Sequence, residues 1–287
     1  MKISVSSYSF SQYIKAGKMT VLDCVSKAKE MGFDGIEFID LPGETLDDQK
    51  KLASEIAAEA ERVDIEINAY TIKGDLYHDT EEGSDAEVTR LCGQLDVAKI
   101  LGASVLRHDV CYKLGKTGKS RSFDLMLPTI AKNARRVAEY GETLGIKTCS
   151  ENHGYISQDS DRVERLFNAV AHDNFGVLVD MGNFICVDEN PITAVSRVAP
   201  YAIHVHIKDM MVRSTPIGRC NHMTRGGNYY CGTVIGEGDI PVMQCLRIIK
   251  RAGYDGYVSL EYEGASDCID GIGRGLANVK EMLEHIG

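Results

Sequence analysis

Four short segments in the second half of the chain each end a hydrophobic run on a side chain able to bind a metal ion. They are TCSEN around Glu151, VLVDMGN around Asp180, IHVHIKD around His206 and SLEYEG around Glu261. Ionisable groups at the ends of buried strands cost free energy unless they are paired or coordinated, so these strand ends point to one shared site. Three carboxylates and an imidazole form an oxygen-rich donor set that suits Mn²⁺, Mg²⁺ or Co²⁺ better than a structural zinc. The chemistry implied is that of a divalent-metal enzyme.

Successive side chains on a strand point to opposite faces. His204, His206 and Lys208 therefore share one face, with Val205 and Ile207 opposite. Ser259, Glu261 and Glu263 share another, as do Leu178 with Asp180, and Cys149 with Glu151 and His153. In each case the candidate ligand lies on the less apolar, inward side, as a common centre requires. His204 and His206 compete for the imidazole position. His108 closes an earlier strand beside Arg107 and could reach the same cavity. Glu37 ends the second strand, where it either orients a substrate hydroxyl or holds an ion pair.

A recurring unit would position these groups. AKEMG (28–32) leads through Phe33-Asp34-Gly35 into IEFI, and IKRAG (249–253) leads through Tyr254-Asp255-Gly256 into YVSLEYE. Looser copies are AKILG (98–102) before ASVLRH and GETLG (141–145) before IKTCSEN. Each has a Gly where a helix should stop, since Gly tolerates the left-handed C′ position. Helix–Gly–strand repeats imply parallel strands joined by helices. Strands are expected at 2–8, 34–39, 65–71, 103–108, 146–151, 175–180, 201–207 and 257–262. Ser84 and Glu87 read as the capping box of the third helix, and 122–144 as a long fourth helix with Pro128 in its first turn. Eight strand–helix units favour a closed (β/α)₈ TIM barrel, a single domain over 1–287, and no GxGxxG follows the first strand to suggest a doubly wound sheet. A long irregular segment at 209–238, rich in Gly, Arg, Asn and Tyr, reads as a loop covering the active site.

Composition bounds the partners. A net charge of −10 over 287 residues opposes nucleic-acid binding, which depends on neutralising phosphates. Nine cysteines with no CxxC read as reduced thiols of a cytoplasmic protein, and Cys220 and Cys231 show no partner spacing. The N-terminal MKISVSSYSF reads as a first strand, and no stretch approaches the roughly 18 apolar residues of a membrane span. Neither nucleic acid nor membrane is therefore an expected partner.

SENHG (150–154), VDMGN (179–183), HVHIKD (204–209), GEGDIP (236–241) and GYDGYVSLEYEG (253–264) together resemble the xylose-isomerase-like barrel superfamily. The likeness is to its sugar phosphate isomerase/epimerase branch, with ketose 3-epimerase, hydroxypyruvate isomerase and inosose dehydratase relatives. It implies metal ligands at Glu151, Asp180, His206 and Glu261, with His206 preferred to His204 because an acid, Asp209, follows closely. It further implies Mn²⁺ as the metal, with Mg²⁺, Co²⁺ or Zn²⁺ as alternatives. A small-molecule carbohydrate would lose a proton beside a metal-bound carbonyl, through an enediolate, with Glu151 and Glu261 as acid and base. Arg213 resembles the family's substrate-binding arginine, and His153 is a candidate substrate contact or further acid/base. Lys208 could hold a phosphate or hydroxyls. Ketose 3-epimerases carry a histidine three residues after the ligand aspartate, where this chain has Asn183. That departure opens a second reading, a lyase acting on a keto-sugar, 3-keto-glycoside or inosose, in which His153 or His222 serves as the extra acid or base. Homo-oligomers are the family's habit, and a lyase could need a second subunit. Endonuclease IV shares the barrel but needs a histidine-rich three-zinc site and a basic face that this acidic chain lacks.

Overall fold

The computed structural model describes residues 1–286. Eight parallel strands close into a barrel: β1 (Lys2–Ser6), β2 (Gly35–Ile39), β3 (Glu66–Ile72), β4 (Val105–His108), β5 (Lys147–Glu151), β6 (Phe175–Asp180), β7 (Ala202–Ile207) and β11 (Tyr257–Leu260). Their order round the barrel is β1-β11-β7-β6-β5-β4-β3-β2. The outer layer comprises α1 (Ser11–Lys15), α2 (Asp23–Met31), α3 (Leu46–Val63), α4 (Glu81–Leu101), α5 (Phe123–Leu144), α6 (Ser160–Val170), α7 (Pro191–Val198), α8 (Val242–Arg251) and α9 (Cys268–Ile286). The Gly of every helix–Gly–strand repeat has positive φ: Gly32, Gly102, Gly145 and Gly253. Two helix starts differ from expectation. Thr80, not Ser84, caps α4, accepting from the Gly83 N–H, and Ser84 instead accepts from the His78 N–H. Pro128 lies one turn deeper in α5 than its first turn.

Two apolar layers follow from strand alternation. Ile36, Phe38, Leu106, Val177, Val179, Val205, Ile207, Val258 and Leu260 pack with the helices in the large core. Ala69, Val105, Cys149 and Leu178 form a small separate cluster filling the barrel interior. One step further along the same inward faces come Thr71, Arg107, Glu151 and Asp180. The functional groups thus stand on a packed floor at the carboxyl ends of the strands, where barrel enzymes place their chemistry. Among the described residues no helix is long and apolar enough to cross a membrane.

The segment 209–238 is irregular only in part. It folds into a three-stranded antiparallel flap of β8 (Asp209–Arg213), β9 (His222–Met223) and β10 (Tyr229–Thr233), in the order β8-β10-β9. Cys220 and Cys231, expected as free thiols, are joined by a disulfide, while the other cysteines are free. The hairpin sets their Cα atoms 4.5 Å apart, a proximity that spacing alone does not reveal. Asp209 roots the flap: Oδ1 accepts from the N–H groups of Met210 (2.8 Å) and Ile240 (3.1 Å), and Oδ2 from Gly236 and Gly238 (both 2.9 Å). A Cβ at Gly238 would lie 2.1 Å from Asp209 Oδ1, so HVHIKD and GEGDIP are two halves of one turn. Asp209→Ala leaves these donors unpaired in a largely buried place and should cost about 3 kcal/mol in urea unfolding, with the flap the first region to gain amide exchange.

Candidate metal centre

Glu37, on the inward face of β2, is fully buried beneath the site. Its Oε2 accepts from His204 Nε2 at 2.6 Å and its Oε1 lies 2.8 Å from His206 Nε2. A carboxylate on Nε2 draws the proton there and leaves the Nδ1 lone pair for the other side. His206 Nδ1 is buried and, like Nε2, has no partner in hydrogen-bond geometry, Nε2 meeting Glu37 only as an ion pair. It faces Glu261 Oε1 at 3.5 Å, Glu151 Oε1 at 3.8 Å and Asp180 Oδ2 at 3.9 Å. An unsatisfied imidazole nitrogen among three carboxylate oxygens has the donor set of a divalent-cation site. Glu151, Asp180 and His206 lie close enough to share one ion.

Local sequence fixes each carboxylate. After β6 the chain turns so that the N–H groups of Gly182 and Asn183 donate to Asp180 Oδ1 at 2.8 and 3.0 Å, leaving Oδ2 aimed inward. Asn152 clamps the same residue by exchanging hydrogen bonds with its backbone N–H and C=O, both 2.8 Å. The Gly of DMGN is required because a Cβ at Gly182 would lie 2.4 Å from Lys208 Cγ. Asn183 Nδ2 donates to Glu151 Oε1 at 2.8 Å, and Arg107 grips Glu151 Oε2. Lys208 reaches over the barrel mouth to Glu261 (2.7 Å), Asp180 (2.9 Å) and Glu263 (3.1 Å).

Burial and charge pull these groups apart. Burial, aided by Glu151 and Glu261, raises Asp180 to about 7 against the pull of Lys208. Burial also opposes the charge on Glu261, but Lys208 and His206 outweigh it and hold that carboxyl well below its usual range. At Glu37 burial is likewise overcome, by His206 and His204, and the pKa falls to about 2. For His206, burial favours the neutral ring, yet Glu37 and Glu261 raise it well above its ordinary value.

The cavity over these groups has a volume of about 290 Å³ and is lined by Glu151, His206, Lys208 and Glu261 together with Arg107, Asp109 and His153. His153 Nδ1 pairs with Asp109 Oδ1 at 2.9 Å, and Asp109 also receives Tyr112 OH (2.8 Å) and Arg107 (2.9 Å). Burial alone would lower the His153 pKa, but the hydrogen bond and charge of Asp109 raise it.

Not every candidate arrives here. His108 points out of the barrel: it is fully buried, its Nδ1 meets the Asp109 carbonyl at 2.9 Å, and its ring lies near Phe175. The inward residue of β4 is Arg107, which alternation from Val105 would have indicated. Arg213 lies at the outer end of β8, exposed and paired with Asp239 at 3.3 Å, because the flap carries it away from the cavity. His222 lies on β9 and lines a neighbouring cavity. Glu37 does not line the cavity: it is an ion-pair partner beneath the floor. Asp109 carried no signal in the sequence beyond following a strand end.

A parallel eight-stranded barrel with carboxylates and a histidine converging at its carboxyl end defines a class of barrel, and the sequence comparisons agree. The chain belongs to the xylose isomerase-like TIM barrel family, whose profile matches residues 25–286. Inosose dehydratase of Lacticaseibacillus casei is 25% identical over 172 residues, which are 58% of this chain and 58% of that enzyme. The chain therefore spans little more than half the length of that relative. Among solved structures, the IolI protein with a bound zinc atom superposes with a TM-score of 0.77 at 17% identity, covering 100% of this chain and 99% of that one. D-psicose 3-epimerase, solved in the presence of D-fructose, gives 0.75 at 15% identity, covering 99% of each. These relatives include enzymes of both dehydratase and epimerase type.

Lys208→Met removes the counter-charge of three carboxylates and should destabilise the metal-free protein by about 3 kcal/mol, read by chemical denaturation. Asp109→Asn should lower the His153 pKa, followed by NMR titration of the imidazole, because the anion that favours the charged ring is gone.

Proposed function

We propose that the chain is a divalent-metal-dependent isomerase or epimerase of a ketose or related sugar, in which Glu151 and Glu261 exchange the proton. The observation that carries this reading is the buried, unsatisfied His206 Nδ1 facing carboxylate oxygens of Glu151, Asp180 and Glu261 at 3.5–3.9 Å. Glu151, Asp180, His206 and Glu261 would hold the ion, and a divalent cation there supplies a Lewis acid for a sugar carbonyl. Mn²⁺ suits the oxygen-rich set, with Mg²⁺, Co²⁺ or Zn²⁺ as alternatives, and the zinc of IolI supports a divalent ion on this fold.

The chain's own residues divide the remaining work. Glu151 ends β5 and Glu261 directly follows β11, with β6 and β7 between those strands round the barrel, so they approach a bound sugar from different sides. Arg107 and Asn183 aim Glu151, while Lys208 steadies Glu261. Lys208 and His206 hold Glu261 ionised, as a proton acceptor must be, at the expense of its basicity. Arg107 and Lys208 also offer positive charge to sugar hydroxyls.

One observation favours elimination as the second reading. The His153–Asp109 pair places a third proton carrier beside the two glutamates. A leaving hydroxyl or glycosidic oxygen needs such an acid, and a dehydratase is among the relatives.

NMR of Mn²⁺-loaded protein in D₂O with free ketoses and a 3-keto-glycoside separates the two. Deuterium beside the carbonyl with every hydroxyl retained is expected for the isomerase or epimerase. Release of water or aglycone, without exchange into free ketoses, would establish the lyase instead. Glu151→Gln and Glu261→Gln should each lower turnover by at least about 100-fold, and full activity in both variants sinks the mechanism. Glu37→Gln should weaken Mn²⁺ binding by about 10–100-fold, read by calorimetry. Because His206 and Asp180 have raised pKa values, the metal must displace protons, so apparent affinity should rise with pH through neutrality.

A further inference from the structure

A second cavity, of about 330 Å³, adjoins the first and shares Tyr8 and Glu263 with it. Its walls come from the N-terminal segment carrying Tyr8 and Lys15, from the flap with Arg219, His222 and Tyr230, and from the chain after β11. The two adjoining cavities, about 290 and 330 Å³, leave room beyond the acid cluster for a further part of a ligand.

The charge of this compartment is unusual for the molecule. The chain carries a net charge of −10, and the flap's other arginines are each paired, Arg213 with Asp239 at 3.3 Å and Arg225 with Asp159 at 3.0 Å. Lys15 and Arg219 are exposed to the cavity, and among the described residues neither has a carboxylate partner. The one acid in the wall, Glu263, already receives Lys208 at 3.1 Å. The bond from the adjacent Cys220 to Cys231 on β10 tethers the backbone that carries Arg219. A concave wall that carries two unneutralised cations beside a reaction cavity favours an anion.

We propose that this compartment binds a negatively charged substituent, a phosphate or a carboxylate, on the end of the substrate remote from its reacting carbonyl. Lys15 and Arg219 are the recognising groups, Arg219 being able to grip either oxyanion through two N–H donors. The link to a reacting carbonyl rests on the function proposed above, whereas the anion site does not. The substrate class thereby narrows from a neutral sugar to a sugar phosphate or a carbohydrate bearing an acid group.

Calorimetric titration of the metal-free full chain with inorganic phosphate and with D-glucuronate tests this directly. Saturable binding of at least one anion is expected, weakened by about tenfold or more in the Lys15→Ala/Arg219→Ala double variant and by added salt. Preference for phosphate identifies a phosphorylated substrate, and preference for glucuronate a carboxylated one. Equal affinities in wild type and double variant, or no binding of either anion to wild type, overturn the proposal. Mn²⁺ titration of the same samples keeps the two readings apart. Anion binding lost in the double variant, without any Mn²⁺ binding to wild type, removes the metal-enzyme reading and leaves the anion site. Unchanged Mn²⁺ binding with no anion effect does the reverse.

Discussion

The contact between Glu37 and the two histidines of β7 is the interaction on which the site depends. A carboxylate without exposure to water is sustainable only because two imidazoles meet its oxygens at 2.6 and 2.8 Å. In return it orients His206 and directs one ring nitrogen upward into the ring of acids. Neither partner is stable in that place alone. Because Glu37 comes from β2 and the histidines from β7, the barrel must be closed before the pair can form.

Above that pair the molecule concentrates charge of both signs. Lys208 and Arg107 hold carboxylates that would otherwise repel one another, and the backbone donors of the DMGN turn fix Asp180 from behind. Such an arrangement is poor for stability, since buried ion pairs seldom repay their desolvation. It is well suited to presenting preorganised acids and bases to a polar substrate. The flap walls the neighbouring cavity, rooted by Asp209 in the turn at Gly236–Gly238 and stapled by the Cys220–Cys231 disulfide.

The two cavities sharing Tyr8 and Glu263 give the barrel mouth a polarity of roles. One end carries the buried acids with His153, His206, Arg107 and Lys208. The other carries Lys15 and Arg219 with His222 and tyrosines. Glu263 sits between them, bound to Lys208, so the ammonium that balances the acids also touches the boundary of the second compartment.

Much of this was legible in the residues. Period-two alternation and the helix–Gly–strand repeats set out all eight barrel strands to within two or three residues, because both signals arise from local backbone geometry. The same alternation placed Glu151, Asp180, His206 and Glu261 on inward faces, and the structure brings them together. Local pattern failed where position depends on a distant segment. Arg213 pairs with Asp239 because the flap turns away, and His108 faces Phe175 rather than the cavity. Asp109 reaches His153 from a neighbouring strand, and Cys220 meets Cys231 across a hairpin hidden in a Gly-rich, basic stretch. By itself the sequence determined the strands, their faces and the side-chain types at the strand ends, since these follow from residues a few positions apart. Tertiary structure alone decided which charges share a space, because burial and distance between strands are properties of the closed barrel.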